Sequence, residues 1–370
     1  MNSRFFIPID VRWAAWRQAG QFLGLPYQKV LIATSRSSLI RAEELQKDIL
    51  ADHRTELLPV ISADPTITSV QEFTDGVIAA TPDWIIAIGG GSVLDTAKAG
   101  AVAANNGGDV ASLIRGTRLI DRPGIPLIAI PTTSGSGSEV TPYASITDAT
   151  ESKKISLSHD FLFPRFALLD PSLTLSLSLR QTAISGMDAL CHAIEGYWSN
   201  RATPATDALA LSAARLLLDQ LPETHRAPDN LNARRQTMEG SMLAGLTISN
   251  ARTTAVHAIS YPITVSFGVP HGLACSLTLP SMMRFNAGAM AGEKEYQLLH
   301  HLGAKSMGHL ADTVEQLQTQ LELPIKLSGV GIGHGEISKI VENGYRPDRM
   351  SNNPREISAD QLTLLLENLI

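Results

Sequence analysis

Four side chains in the second half of this 370-residue chain have the types and spacing of a divalent-metal site. Asp188 and His192 stand four apart within Gly186–Trp198, a stretch of helical periodicity, so they share one helix face. His257 and His271 follow in an interval broken by Pro262, Gly268 and Pro270, which puts them on different elements. One carboxylate and three imidazoles suit a borderline ion such as Fe2+ or Zn2+. Any single histidine is more often a core or surface residue. His53, His159, His225, His300, His301, His309 and His334 have no such partner pattern and are read in that way.

Two glycine-rich segments have a different chemistry. Gly89-Gly90-Gly91-Ser92 directly follows the apolar run Trp84–Ile88 and leads, through Asp95 and Lys98, into a helical stretch. Glycines let the backbone approach a diphosphate, and the free N–H groups of the following helix favour an anion. The second segment, from Pro131-Thr132-Thr133 through Ser136 to Glu139-Val140-Thr141, follows the apolar run Pro126–Ile130 and offers hydroxyl and amide donors to phosphate or ribose. A tight turn or a solvated Ser/Gly loop explains either segment alone. Two of them after consecutive strands favour a dinucleotide.

These residues need elements to position them. The first half alternates apolar strands with helices: Lys29–Thr34, a helix over Ser38–Leu50, a weaker strand over Glu56–Ile61, a helix over Val70–Ala80, Trp84–Ile88, a helix over Val93–Ala104, then strands at Pro126–Ile130 and Phe166–Leu169. That pattern predicts a parallel sheet covered on both faces. From about Arg180 the strands give way to the helical stretches Thr182–Trp198, Pro204–Leu221 and Asn230–Ser249, punctuated at Asn200, Pro222, Pro228 and Asn250. The expectation is an α/β dinucleotide-binding domain over 1–179 and an all-helical metal-binding and substrate domain over 180–370.

Composition narrows the class. Hydrophobic residues at 44% and charged residues at 18% describe a globular chain. Thirty basic against 36 acidic residues give a net charge of −6, a poor basis for nucleic-acid binding. Two cysteines make no disulfide framework, no apolar run has the length of a membrane span, and MNSRFFIPIDVRW lacks the apolar core of a signal peptide. A cytoplasmic enzyme or binding protein, without membrane or nucleic-acid partners, is expected.

The set GGGSxxDxxK, PTTSGSGSEVT, Asp188-x-x-x-His192, His257 and Pro270-His271-Gly272 resembles the iron-containing (group III) alcohol dehydrogenase family. The resemblance runs from the N-terminal strands to about Asn286, with a further piece at Asn353-Pro354-Arg355. It implies a Rossmann-like N-terminal domain and a helical C-terminal domain, the dehydroquinate synthase-like fold. It also implies NADH or NADPH, one divalent metal held by Asp188, His192, His257 and His271, and a homodimer. By the same resemblance Gly89, Gly90, Gly91, Ser92, Asp95, Thr132, Thr133, Ser136 and Lys154 face the dinucleotide. The reaction implied is reversible hydride transfer between nicotinamide and a metal-polarised carbonyl.

The departures from the family pattern are informative. Where the family reads H-x-x-x-H-P, this chain reads His257-Ala258-Ile259-Ser260-Tyr261-Pro262, which makes Tyr261 a candidate proton donor beside a chain of waters. Where it reads N-x-G-x-G, this chain has Asn250-Ala251-Arg252-Thr253-Thr254; a second arginine, Arg349, falls in the C-terminal segment Arg346–Asn353. An arginine beside a metal is costly unless an anion joins it, and its planar fork suits oxyanions. A substrate with an anionic tail, as in the phosphonoacetaldehyde reductase branch, is therefore expected. The other readings are a dehydrogenase of neutral alcohols and a non-catalytic dinucleotide-binding protein. At the adenosine end Ser35-Arg36 stands where many members have Asp, which admits the 2′-phosphate of NADPH.

Overall fold

The structure is a computed structural model and describes the residues from Phe5 to Ile370 apart from Pro26, Pro59, Val60, Ser152 and Arg346. Two compact units divide the chain: one holds Ile7–Thr133 and Gly137–Thr174, the other Leu175–Ile370 with Ser134–Ser136 and the N-terminal stretch through Phe6.

The first unit is built on six strands: β1 (Asp10–Trp13), β2 (Lys29–Thr34), β3 (Arg54–Leu57), β4 (Trp84–Gly89), β5 (Leu127–Pro131) and, after an intervening hairpin, β8 (Phe166–Leu169). Their order is β1-β8-β5-β4-β2-β3 and all pairs are parallel. Successive strand residues point to opposite faces, so a doubly covered strand must be apolar throughout. Leu31, Ala33, Ile85, Ala87, Leu127 and Ala129 pack on one face with Phe73, Val77, Leu94 and Ala97. Val30, Ile32, Ile86, Ile88, Ile128 and Ile130 pack on the other with Trp16, Leu45 and Leu50. The connecting helices are α1 (Leu39–Glu44, continued by a π turn to Ile49), α2 (Ile67–Ala80), α3 (Gly91–Asn105) and α4 (Val110–Ile114). The strand expected over Glu56–Ile61 is observed only to Leu57, and Pro59 and Val60 lie outside the described residues. An antiparallel hairpin, β6 (Tyr143–Asp148) and β7 (Lys153–Ser158), has no counterpart in the sequence reading. Its strands are half polar, and its core contacts come from Ala144, Ile146 and Leu157, with Ile155 partly buried beside them.

The second unit is helical: α5 (Leu179–Trp198), α6 (Pro204–Arg226), α7 (Leu231–Ala251), α8 (Ala255–Phe267) and α9 (His271–Asn286), followed by the shorter helices of the C-terminal region. Side-chain caps start α5 and α6, where Ser178 and Thr203 accept from backbone amides three residues on. Two prolines expected to break helices do not. Pro222 lies inside α6, whose last turn is tied to α7 by the 2.8 Å Thr224–Thr237 hydroxyl contact. Pro262 lies inside α8, packed against Gly344. Tertiary packing outweighs the lost amide bond in both. The break between His257 and His271 falls instead at Gly268, in the left-handed region at φ 66°, and Pro270. Among the described residues no helix is long and apolar enough to cross a membrane.

One buried cluster ties the second glycine-rich loop and the start of β6 to helix α3. Lys98 is fully buried and donates to the carbonyls of Ser138 (2.9 Å), Thr141 (3.3 Å) and Tyr143. Beside it burial pushes the Glu139 carboxyl up to about 7, outweighing its own backbone amide and the charge of Lys98. The folded protein therefore keeps a proton that the unfolded chain releases near pH 4.5. Stability from this group is full below that pH and is lost as pH rises toward 7. Glu139→Gln, which mimics the protonated acid, should match wild type in urea near pH 4.5. It should exceed wild type by up to about 3 kcal/mol at pH 8. A stability difference that does not change with pH would contradict this reading.

Candidate metal centre and dinucleotide loops

Helix α5 carries Asp188, His192 and Glu195 along one buried face. Helix α8 brings His257 to them, and His271 is the first residue of α9. Gly272 is what lets α9 come so close: a Cβ there would lie 2.3 Å from the Ile184 carbonyl oxygen and 2.9 Å from the Asp188 Cβ.

The His257 Nε2 lies 3.6 Å from Asp188 Oδ1, and the His271 Nε2 lies 3.9 Å from the same oxygen. Asp188 Oδ1 and His257 Nε2 are buried without a hydrogen-bond partner among the described residues. Orphaned buried polar atoms are costly, and a divalent ion bonded to both removes the cost. Charge on His192, His271 and His257 holds Asp188 well below the usual carboxylate range although burial works to raise it. Burial pushes the His192 imidazole down to about 4, in spite of Asp188, so it is neutral, as a metal ligand must be. The residues fit Fe2+ or Zn2+.

The donor atoms that lie within 4.8 Å of one another belong to Asp188, His257, His271 and Cys275. His192, the fourth expected ligand, stacks on His257 with centroids 4.5 Å apart and is not in that set. Cys275 was not foreseen. Burial pushes its thiol up, which makes it a poorer donor than its neighbours.

Glu195 was also missed, although its spacing from Asp188 and His192 places it on their face. It is fully buried and bonds the Nδ1 of His257 through Oε2; its Oε1 accepts from the Thr254 hydroxyl at 2.6 Å and amide at 2.9 Å. Burial opposes its charge, but His257 and Thr254 outweigh that and keep it below the ordinary range. A carboxylate on Nδ1 fixes the tautomer that leaves Nε2 free for a metal.

Of the residues expected near substrate, Arg349 donates to the Tyr261 hydroxyl at 2.8 Å and its guanidinium carbon lies 4.3 Å from the ring centroid. The Tyr261 ring lies 5.6 Å from that of His271. Arg252 is exposed at the end of α7. Arg346 lies outside the described residues.

In the sheet unit the expected dinucleotide residues divide. Gly90 precedes α3 and packs beside Thr133, and the Thr132 amide donates to the Gly89 carbonyl at 2.9 Å, so the two loops adjoin. Gly89 has no room for a side chain, since a Cβ would meet Val93 at 2.5 Å. Ser92 accepts from the Asp64 amide at 3.2 Å, and Lys154 bonds the Asp64 carboxylate at 3.1 Å. Asp95 is committed within the protein, accepting from the Ser138 hydroxyl at 2.5 Å and the Ser145 amide at 2.9 Å. Ser35 and the exposed Arg36 lie just past β2. Ser136 belongs to the helical unit with Gly135, whose close approach to Ser185 leaves only 2.7 Å for a Cβ.

A parallel Rossmann-like sheet with two glycine-rich loops, and a helical unit with an Asp–His centre, define a metal-dependent dehydrogenase. Family comparison agrees over most of the length: residues 11–171 match the model for iron-containing alcohol dehydrogenase, and residues 182–370 match the model for the C-terminal part of that family. The chain belongs to the iron-containing alcohol dehydrogenase family and is an NAD-dependent oxidoreductase. It is 34% identical to a sulfoacetaldehyde reductase of Bilophila wadsworthia over 82% of this chain and 81% of that one. It is 30% identical to an NAD-dependent methanol dehydrogenase of Bacillus methanolicus over the whole of both. The crystal structure of a sulfoacetaldehyde reductase from Bifidobacterium kashiwanohense in complex with NAD+ superposes with a TM-score of 0.92 at 30% identity, covering 100% of this chain and 99% of that one.

The role assigned to Glu195 is open to direct measurement. Glu195→Gln keeps the shape and removes the charge behind His257, so competition against a chromophoric chelator should show metal affinity reduced about 10- to 100-fold. Affinity equal to wild type would mean that Glu195 does not act through His257.

Proposed function

We propose that this enzyme reduces a short aldehyde with an anionic tail, a phosphonate or a sulfonate, to the corresponding alcohol. The balance is aldehyde, NAD(P)H and a proton going to alcohol and NAD(P)+. The observation that carries the reading is Arg349, held over Tyr261 beside His271, together with Arg252 at a position where the family usually has glycine. Two guanidinium groups balance the double charge of a phosphonate better than the single charge of a sulfonate, which favours phosphonoacetaldehyde. Similarity to two sulfoacetaldehyde reductases supports the anionic tail and makes sulfoacetaldehyde the second candidate.

Asp188, His192, His257 and His271 would hold the divalent ion, which when bound supplies Lewis-acid polarisation of a carbonyl. A bound dihydronicotinamide would supply hydride chemistry there. The protein's own residues do the rest. Arg349 and Arg252 bind the tail and so fix the orientation of the carbonyl. Tyr261, whose oxygen accepts from Arg349, keeps its own proton to give to the developing alkoxide. At the other end of the dinucleotide, Ser35 and the exposed Arg36 offer no carboxylate against a 2′-phosphate, and NADPH is accepted at least as well as NADH.

Purified enzyme loaded with Fe2+ should therefore turn over phosphonoacetaldehyde more efficiently than sulfoacetaldehyde, and either more efficiently than butanal, with both NADPH and NADH. Losing one charge-assisted contact of roughly 1.5–3 kcal/mol reduces efficiency about 10- to 150-fold. Arg349→Ala should lower the ratio of phosphonoacetaldehyde to butanal efficiency by that factor, mainly through KM. Equal losses on both aldehydes would make Arg349 structural and favour a neutral alcohol as substrate.

A further inference from the structure

Arg252 stands in a backbone conformation that an arginine does not choose. Its φ is 61° and its ψ 172°. Thr81, also at positive φ, rests in the left-handed helical well at φ 45° and ψ 59°. The region Arg252 occupies is essentially reserved for glycine, because a Cβ clashes with the backbone there.

The surroundings pin this conformation from both sides. The Asn352 Nδ2 donates to the carbonyls of Ala251 (3.1 Å) and Thr253 (3.0 Å), the two residues that flank Arg252. Asn352 is itself buried, with Oδ1 3.0 Å from the Ser199 hydroxyl, its carbonyl accepting from the Asn200 amide at 3.0 Å and its amide donating to the Arg349 carbonyl at 3.0 Å. Two residues beyond Arg252, Thr254 is held by Glu195. The contacts that hold the strain are all made by neighbouring groups and the backbone: the Arg252 side chain itself is exposed and forms no ion pair or hydrogen bond with a described residue. The turn that pins Arg252 is the one that presents Arg349.

We propose that Asn352 is a positioning residue for recognition of the substrate's anionic tail. It holds Arg252 in the glycine conformation, and the strain is kept because it sets the guanidinium beside that of Arg349. The proposal rests on the anionic-aldehyde reading above and adds to it a residue that touches neither substrate nor metal.

The experiment uses wild type, Arg252→Gly, Arg252→Ala, Asn352→Ala and the Arg252→Ala/Asn352→Ala double variant. Two quantities are read: the thermal midpoint, and the ratio of phosphonoacetaldehyde to butanal efficiency resolved into KM and kcat. Glycine relieves the strain and alanine does not, so Arg252→Gly should melt several degrees above Arg252→Ala. Both should lose about 10- to 100-fold in the ratio, carried by KM. Asn352→Ala should lose a comparable part when Arg252 is present and nothing further when it is absent. If Asn352→Ala does not fold, Asn352→Asp keeps the contact to Ser199, loses both donors and takes its place. Equal midpoints for the Gly and Ala variants would remove the strain, and a loss at Asn352 independent of Arg252 would remove the positioning role. A selective wild type whose selectivity survives Arg252→Ala overturns this proposal alone. A wild type indifferent to tail charge overturns the functional reading and this proposal with it.

Discussion

A carboxylate without solvent contact, pressed against an imidazole, is the constraint on which the helical unit depends. Glu195 is buried in the middle of the helical core and accepts from His257, the Thr254 hydroxyl and the Thr254 amide. Taking that charge out of water is affordable only because every one of these donors is in place. The consequence is geometric. With Nδ1 of His257 committed, Nε2 must face Asp188, and the start of α8 is fastened to α5. The Trp198 indole, donating to the same Thr254 hydroxyl at 2.9 Å, closes the far side.

Close packing then delivers the remaining donor. Helix α9 begins at His271 and can approach α5 only because Gly272 has no side chain. The same segment ends the interval begun by His257, so a short stretch of chain supplies two imidazoles from two helices. Two arginines of the helical unit carry the proposed recognition of an anionic tail. Arg349 lies over Tyr261, and Arg252 lies in a strained turn clasped by Asn352. Strain of this kind persists where the surroundings over-determine it, and it gathers at sites of recognition.

Much of this was legible in the sequence because single physical rules governed it. Short, fully apolar runs bounded by glycine, such as Ile85–Ile88, read as strands covered on both sides, and the structure buries them. The Asp188–His192 spacing is a property of any helix. What was not legible depended on partners far along the chain. The β6–β7 hairpin alternates buried and partly buried residues along β6, but its apolar positions are few and small, so the signal is weak beside that of the fully apolar strands. Pro222 and Pro262 read as breaks, but α6 and α8 run through them because neighbouring helices cover the gap. Glu195 looked like one more acid on a helix until α8 brought Thr254 and His257 to it. The sequence places Asp95 near the cofactor but does not show that its oxygens accept from Ser138 and Ser145. Asn352 gives no sign in the sequence of any contact with Arg252, and only the fold shows that it bridges the carbonyls on either side of it.

The central claim is that Asp188 of α5 and the imidazoles of α8 and α9 hold one catalytic ion. Anomalous diffraction from crystals of the metal-loaded protein, collected on either side of the iron and zinc absorption edges, tests it most directly. The account requires a single strong peak within bonding distance of Asp188 Oδ1, His257 Nε2 and His271 Nε2, at roughly 2.0–2.2 Å for zinc. No peak at these atoms in protein that retains its metal in solution, or a peak bonded elsewhere, would contradict it.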